Sequence, residues 1–258
     1  MFIGDVVGEA GCTAVQDLVP ALRQELELDA VIINAENSAP SGRGITPASG
    51  SALLSVGDFL TLGNHAFDIE GVGEFLDREP RVIRPANLEA GSPGYGWGMF
   101  KAGDVRVGVV NVQGRVFMKQ TPSSPFRAAD RVVGELEAAG ADFVLVDVHA
   151  EATSEKQAMG YHLAGRAQAV IGTHTHVPTA DARILSGGTA YVTDVGMTGG
   201  AESIIGFDKE EFLGLFLGRG PSRLGASKAP ANLNAVVVEV ELESRQAVRI
   251  ERVLREGV

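Results

Sequence analysis

Ala169-Val170-Ile171-Gly172-Thr173-His174-Thr175-His176 is an apolar run that ends in two histidines two residues apart. If the run is a strand, His174 and His176 leave its end on one side, because strand side chains alternate with period two. Imidazole is the commonest nitrogen ligand of zinc, iron and manganese. A lone pair of this kind is equally well two polar loop residues. The chain, however, has only five histidines. His65 stands in Gly63-Asn64-His65, after Phe59-Leu60-Thr61-Leu62. His149 stands in Asp147-Val148-His149-Ala150-Glu151, after Phe143-Val144-Leu145-Val146. Four of the five therefore lie at expected strand ends, which suggests a metal centre built from several strand tips.

Working outward, strands are expected at Met1–Ile3, Ala30–Ile33, Phe59–Leu62, Val82–Ile83, Val105–Val112, Phe143–Val148 and Ala169–Ile171. Helices are expected at about Cys12–Leu28, after Pro47, at Gly71–Asp77, Ala128–Ala139, Ser154–Arg166 and Lys209–Phe216. Gly8 and Gly11 read as turn residues ahead of the first helix. Gly91, Gly94, Gly96 and Gly98 read as a glycine-rich loop leading to Met99-Phe100-Lys101. Ala182–Leu185 and Thr189–Val192, joined by Ser186-Gly187-Gly188, read as a hairpin, and Leu233–Leu242 with Ala247–Val253 as a last strand pair. Strand–helix alternation in the first half and hairpins in the second predict a layered α/β fold with a mixed sheet and helices outside. No repeat or linker divides the 258 residues, so a single domain over 1–258 is the simplest expectation.

Composition narrows the function. No apolar run approaches the roughly 20 residues of a membrane span. The opening lacks a basic region followed by a long apolar segment, so no signal peptide is expected. The single cysteine, Cys12, excludes an internal disulfide and fits a reducing, cytoplasmic setting. A formal net charge of −11 disfavours a long nucleic-acid footprint but leaves small anions free to approach a local cationic centre. A homo-oligomer stays open.

In an open α/β sheet, ligands gather beyond the carboxyl ends of the strands. The polar residues expected on that rim are Asp5, Glu36, Asn37, Asn64, His65, His149, His174 and His176. Each alone has an ordinary explanation, as a helix cap, a turn residue or a half-buried histidine. Together they form a set of oxygen and nitrogen donors suited to metal.

Gly4-Asp5, Gly63-Asn64-His65, His149 and Gly172-Thr173-His174-Thr175-His176 resemble the calcineurin-like metallophosphoesterases. Asn34-Ala35-Glu36-Asn37, the stretch Asp147 to Lys156, Gly172 to Asp181 and Gly188 to Met197 resemble the YmdB-type branch of that superfamily, from Gly4 almost to the C-terminus. The resemblance implies a two-layer mixed β-sheet sandwich flanked by helices and a dinuclear metal centre. It also implies hydrolysis of phosphodiesters, notably 2′,3′-cyclic nucleotides. Two departures from the wider superfamily follow the branch: Asp5-Val6-Val7 replaces the usual Asp-x-His, and Glu36 stands where an aspartate commonly bridges.

Carried over by position, Asp5, Glu36, Asn37 and His176 would hold one metal. Glu36, Asn64, His149 and His174 would hold the other. An oxygen-rich first site favours iron or manganese, with zinc as the alternative. His65, next to Asn64 but not assigned to metal, is placed to protonate the leaving group of a small phosphodiester or cyclic nucleotide. Asp68, Glu151 and Asp181 are candidates to orient the imidazoles, with Asp194 nearby. Arg43 and Arg115 are weaker candidates for substrate contact. His162 and Cys12 read as structural. The rival readings are a phosphomonoesterase or nucleotidase on the same scaffold, and a metal-loaded nucleotide-binding regulator without turnover.

Overall fold

The computed structural model describes residues 1–120, 122–220 and 224–257. The chain first lays down β1 (Phe2–Ile3), α1 (Gly8–Glu25), β2 (Ile32–Asn34), α2 (Pro47–Leu54), β3 (Phe59–Thr61), α3 (Val72–Arg78) and β4 (Val82–Ile83). These four strands are parallel neighbours in the order of the chain. Next come β5 (Trp97–Ala102), β6 (Val105–Gln113), α4 (Pro125–Ala138), β7 (Phe143–His149), α5 (Thr153–Leu163) and β8 (Ala169–Thr173). The hairpin β9 (Arg183–Leu185) and β10 (Thr189–Val192) completes a second, six-stranded sheet in the order β5-β6-β7-β8-β10-β9. Finally β11 (Gly199–Gly200), α6 (Lys209–Phe216), β12 (Ala231–Glu241) and β13 (Gln246–Arg255) return to the first sheet, where β12 lies antiparallel to β1, β11 and β13.

Alternation along each strand sorts its side chains into layers. Ile3, Ile33 and Leu60 face α1, α2 and α3 on the outside of the first sheet. Val110, Val112, Val146 and Val170 face α4 and α5 on the outside of the second. Phe2, Ile32, Phe59, Val107, Val109, Leu145, Ala169 and Val192 fill the space between the sheets. The expected layered α/β sandwich with helices outside is therefore what the chain builds. No helix among the described residues is long and apolar enough to cross a membrane.

Several boundaries differ from expectation. The first helix begins at Gly8 rather than near Cys12, and Gly11 lies inside it. A Cβ on Gly11 would sit 2.4 Å from the carbonyl oxygen of Thr198, so this glycine admits a neighbouring backbone rather than making a turn. Gly98 likewise belongs to β5, because a Cβ there would meet the Phe59 ring at 2.6 Å. Pro125 sits at the start of α4 behind a Ser124 cap, three residues before the expected start. The two-residue β11 carries no local signal and exists only because β12 lies alongside.

Candidate metal centre

The inter-sheet layer changes character at the carboxyl ends of the strands. On β7, Leu145, Asp147 and His149 follow one another on a single face, and all three are buried. Asn34 ends β2, Thr61 ends β3 and Thr173 ends β8, each fully buried on the same inner face. Asp147 Oδ2 accepts from Asn34 Nδ2 at 2.9 Å and Thr61 Oγ1 at 2.5 Å, while its Oδ1 accepts from Thr173 Oγ1 at 2.7 Å. Burial pushes the Asp147 carboxyl up to about 7, against the pull of its hydroxyl and amide donors.

Beyond this layer the expected ligands converge. His149 Nε2 lies 3.1 Å from Glu36 Oε1, 3.0 Å from Asn64 Oδ1 and 3.1 Å from His174 Nδ1. Glu36, His149 and His174 each offer one atom within 4.8 Å of the others, a grouping able to hold a cation. Burial holds both imidazoles neutral, His149 down to about 3 and His174 down to about 2, as ligation requires. Burial also pushes Glu36 up to about 7 and raises Asp5. Gly63 is forced by this crowding: a Cβ there would stand 1.9 Å from Glu36 Oε2 and 2.3 Å from the His149 ring.

The second group is looser. His176 Nδ1 is 2.9 Å from the carbonyl oxygen of Ile205, and its Nε2 lies 3.9 Å from Asp5 Oδ1. Asn37 spends its amide nitrogen on the carbonyl of Gly42. Asp5 Oδ1, Glu36 Oε2 and Asn37 Oδ1 are buried without a hydrogen-bond partner. Three orphaned oxygens are costly unless a cation satisfies them, and they are the oxygen donors expected of the first metal site. The residues present thus fit divalent metal at Glu36.

His174 and His176 do not reach these places by strand alternation. The strand ends at Thr173, and both histidines lie in left-handed backbone, with φ of 95° and 63°. Asp194, fully buried after β10, holds that strained turn by accepting the Thr175 N–H at 3.1 Å and its hydroxyl at 2.6 Å. The buried ammonium of Lys156, from α5, pairs with the same oxygen at 2.6 Å.

His65 stands apart from the metal-facing atoms. Its backbone N–H donates to Glu36 Oε1 at 3.2 Å, while its ring Nδ1 lies 2.6 Å from Asp68 Oδ2. Asp68 therefore orients His65. Glu151 Oε2 lies 3.2 Å from His174 Nε2, within reach of the imidazole. Asp181 does not behave so. Its oxygens accept from Thr179, Thr193 and Arg183, and it ties the segment after the histidine turn to the end of β10. The Arg43 guanidinium rests 5.5 Å over the Phe207 ring. Arg115 contributes its backbone N–H to the Glu155 carboxylate. His162 pairs with Asp130 on α4.

Sequence reading gave no role to Asn34, Thr61, Asp147, Thr173 or Lys156. Asp147 carried a usable signal, since a carboxylate interrupts an apolar strand on the face that bears His149. Gln113 is a further case. It pairs in register with His149 across β6 and β7, is fully buried, and leaves its Oε1 without a partner.

Residues 1–253 match the family described as YmdB-like protein. The 2′,3′-cyclic-nucleotide 2′-phosphodiesterase of Bacillus subtilis (strain 168) is 43% identical over 255 residues, covering 98% of this chain and 96% of that protein. Among solved structures, a hypothetical protein from Thermus thermophilus is 43% identical with a TM-score of 0.91, covering 100% of this chain and 98% of that one. A structure described as a novel phosphatase from Mycoplasma pneumoniae is 32% identical with a TM-score of 0.90, covering 98% and 92%.

Proposed function

This chain belongs to the YmdB-like family, and from that premise we propose that it is a metal-dependent phosphodiesterase of small phosphodiesters, with 2′,3′-cyclic nucleotides as the leading substrates. The observation that carries the reading is the pairing of a neutral imidazole cluster with three orphaned carboxylate and amide oxygens about a shared Glu36. The whole chain acts as one metallophosphoesterase domain.

Asp5, Glu36, Asn37 and His176 would hold one divalent ion and Glu36, Asn64, His149 and His174 the other, with Glu36 common to both. The oxygen-rich Asp5 side favours iron or manganese. Bound there, the ions would neutralise the phosphodiester charge and activate the attacking water. The protein's own share is to keep His149 and His174 unprotonated, to fix His176 through Ile205, and to bury His149 and His176 away from bulk solvent. His65 supplies the proton to the leaving oxygen, with Asp68 on Nδ1 turning Nε2 outward. The lone Cys12 is a buried thiol pushed up to about 12, unreactive and suited to a reducing cytoplasm.

Metal analysis of protein purified without chelator, followed by assay against a panel of phosphoesters, tests the reading. Two transition-metal ions per chain with turnover of 2′,3′-cyclic mononucleotides and bis-p-nitrophenyl phosphate are expected. A metal-replete sample that cleaves monoesters alone would move the assignment to a nucleotidase. Binding without product under single-turnover conditions would move it to a regulator.

A further inference from the structure

We infer that Asp147 and Thr173 are positioning residues that fix the direction of hydrogen bonding at His149 and leave its Nε2 lone pair facing the metal centre. The inference rests on the reading of His149 as a metal ligand and adds what prepares it for that role.

The direction is set at Asn34. Its Oδ1 accepts the backbone N–H of Glu36 at 3.0 Å, a donor that cannot reverse. Its Nδ2 must then face Asp147, and it donates to Oδ2 at 2.9 Å. In its ionised form, which the donors Asn34, Thr61 and Thr173 favour, Asp147 presents Oδ1 as an acceptor to the Thr173 hydroxyl at 2.7 Å. A threonine hydroxyl has one proton. Given to Asp147, that proton leaves Thr173 Oγ1 free only to accept from His149 Nδ1, at 2.9 Å. This places the ring hydrogen on Nδ1 and leaves Nε2 bare, facing Glu36 Oε1 at 3.1 Å and Asn64 Oδ1 at 3.0 Å, the oxygens that would share a cation with it. The next acceptor near Nδ1, Asp5 Oδ1, is 3.7 Å away and out of hydrogen-bond reach. The relay begins on the backbone of Glu36 and ends with His149 Nε2 3.1 Å from the carboxylate of Glu36. Asn34, Asp147, Thr173 and His149 are all fully buried, so bulk water offers no competing partners. A bridge that merely tied the two sheets together would work with the protons running either way. Ligation by Nε2 works in one direction only.

The isosteric Asp147→Asn substitution should reverse the relay. Asn34 Nδ2 still requires an oxygen opposite it, so the new amide nitrogen falls opposite Thr173 and donates to its hydroxyl. Thr173 then turns its proton to His149 Nδ1, and the ring hydrogen moves to Nε2. The test is the tautomer of His149 in metal-free, ¹⁵N-histidine-labelled protein held well above pH 7, where Asp147 is ionised, read from long-range ¹H–¹⁵N correlations. The unaltered chain should show Nδ1–H and Asp147→Asn Nε2–H. Mn(II) affinity in the same samples should fall by about 10–100-fold in Asp147→Asn. Thr173→Ser should preserve both tautomer and affinity, whereas Thr173→Val should give mixed tautomers. This second pair decides the matter if Asp147→Asn does not fold. Nε2–H in the unaltered protein, or Nδ1–H in both Asp147→Asn and Thr173→Val, would overturn the inference. Reversal of the tautomer with unchanged Mn(II) affinity would uphold the relay and remove His149 from the ligand set.

Discussion

Leu145 and His149 lie on one face of one strand, four residues apart, and do opposite work. Around Leu145 the inter-sheet layer is apolar: Phe2, Ile32, Phe59, Val109 and Ala169 meet without a polar atom between them. Around His149 the same strands supply Asn34, Thr61, Asp147 and Thr173, bound to one another and to the ring. The apolar half gains stability from area removed from water and has no preferred proton arrangement. The polar half gains little net stability from its hydrogen bonds but fixes orientation, since each buried donor must find its acceptor. Two strand periods thus carry the core directly into the polar cluster, so His149 inherits the rigidity of the sandwich.

The largest effect is expected at Glu36. Glu36→Gln should lose both metals together and bring phosphodiester turnover to background, with folding retained; metal analysis showing one site intact would separate the two halves of the centre. His65→Ala should keep both metals and near-normal substrate affinity while kcat falls by about 10²–10⁴. That loss should shrink for p-nitrophenyl esters, whose leaving group scarcely needs a proton. If a metal ion departs as well, His65 is a ligand.

Leu145→Ala tests the other half. Removing a buried leucine should lower unfolding stability by about 2–5 kcal/mol in denaturant titration, with metal content and kcat near the unaltered values. A large drop in metal content would mean that the two halves are one cooperative unit. The mildest expected effect is of pH. Glu36, raised by burial to about 7 in the metal-free protein, must release a proton to bind a cation. Mn(II) affinity should therefore fall by about tenfold per unit as pH drops below 7 and level off above it. His149 and His174, held down to about 3 and about 2, should add no further slope in that range.

Much of this protein was legible in its amino-acid order. Short apolar runs marked most strands, and a polar or histidine residue closing a run marked the rim, because both signals are local. The donors Asp5, Glu36, Asn37, Asn64, His149, His174 and His176 stand at strand ends; the structure gathers Glu36, Asn64 and His174 about His149 and sets His176 beside Asp5. Local signals failed where a residue answers to something distant. Gly11 and Gly98 looked like turns because the carbonyl and the ring that exclude a Cβ come from β11's approach and from β3. Asp181 looked like a partner for imidazole because it lay near the histidines in sequence, yet its oxygens were already taken by Thr179 and Thr193. The bonds of Asp147 to Thr61 and Asn34 span 86 and 113 residues, and form only when one sheet stacks on the other. The sequence determined which side chains stand at the strand ends. Tertiary structure decided which nitrogen of His149 and of His176 faces inward, since that depends on Thr173 and on the carbonyl of Ile205, 24 and 29 residues away.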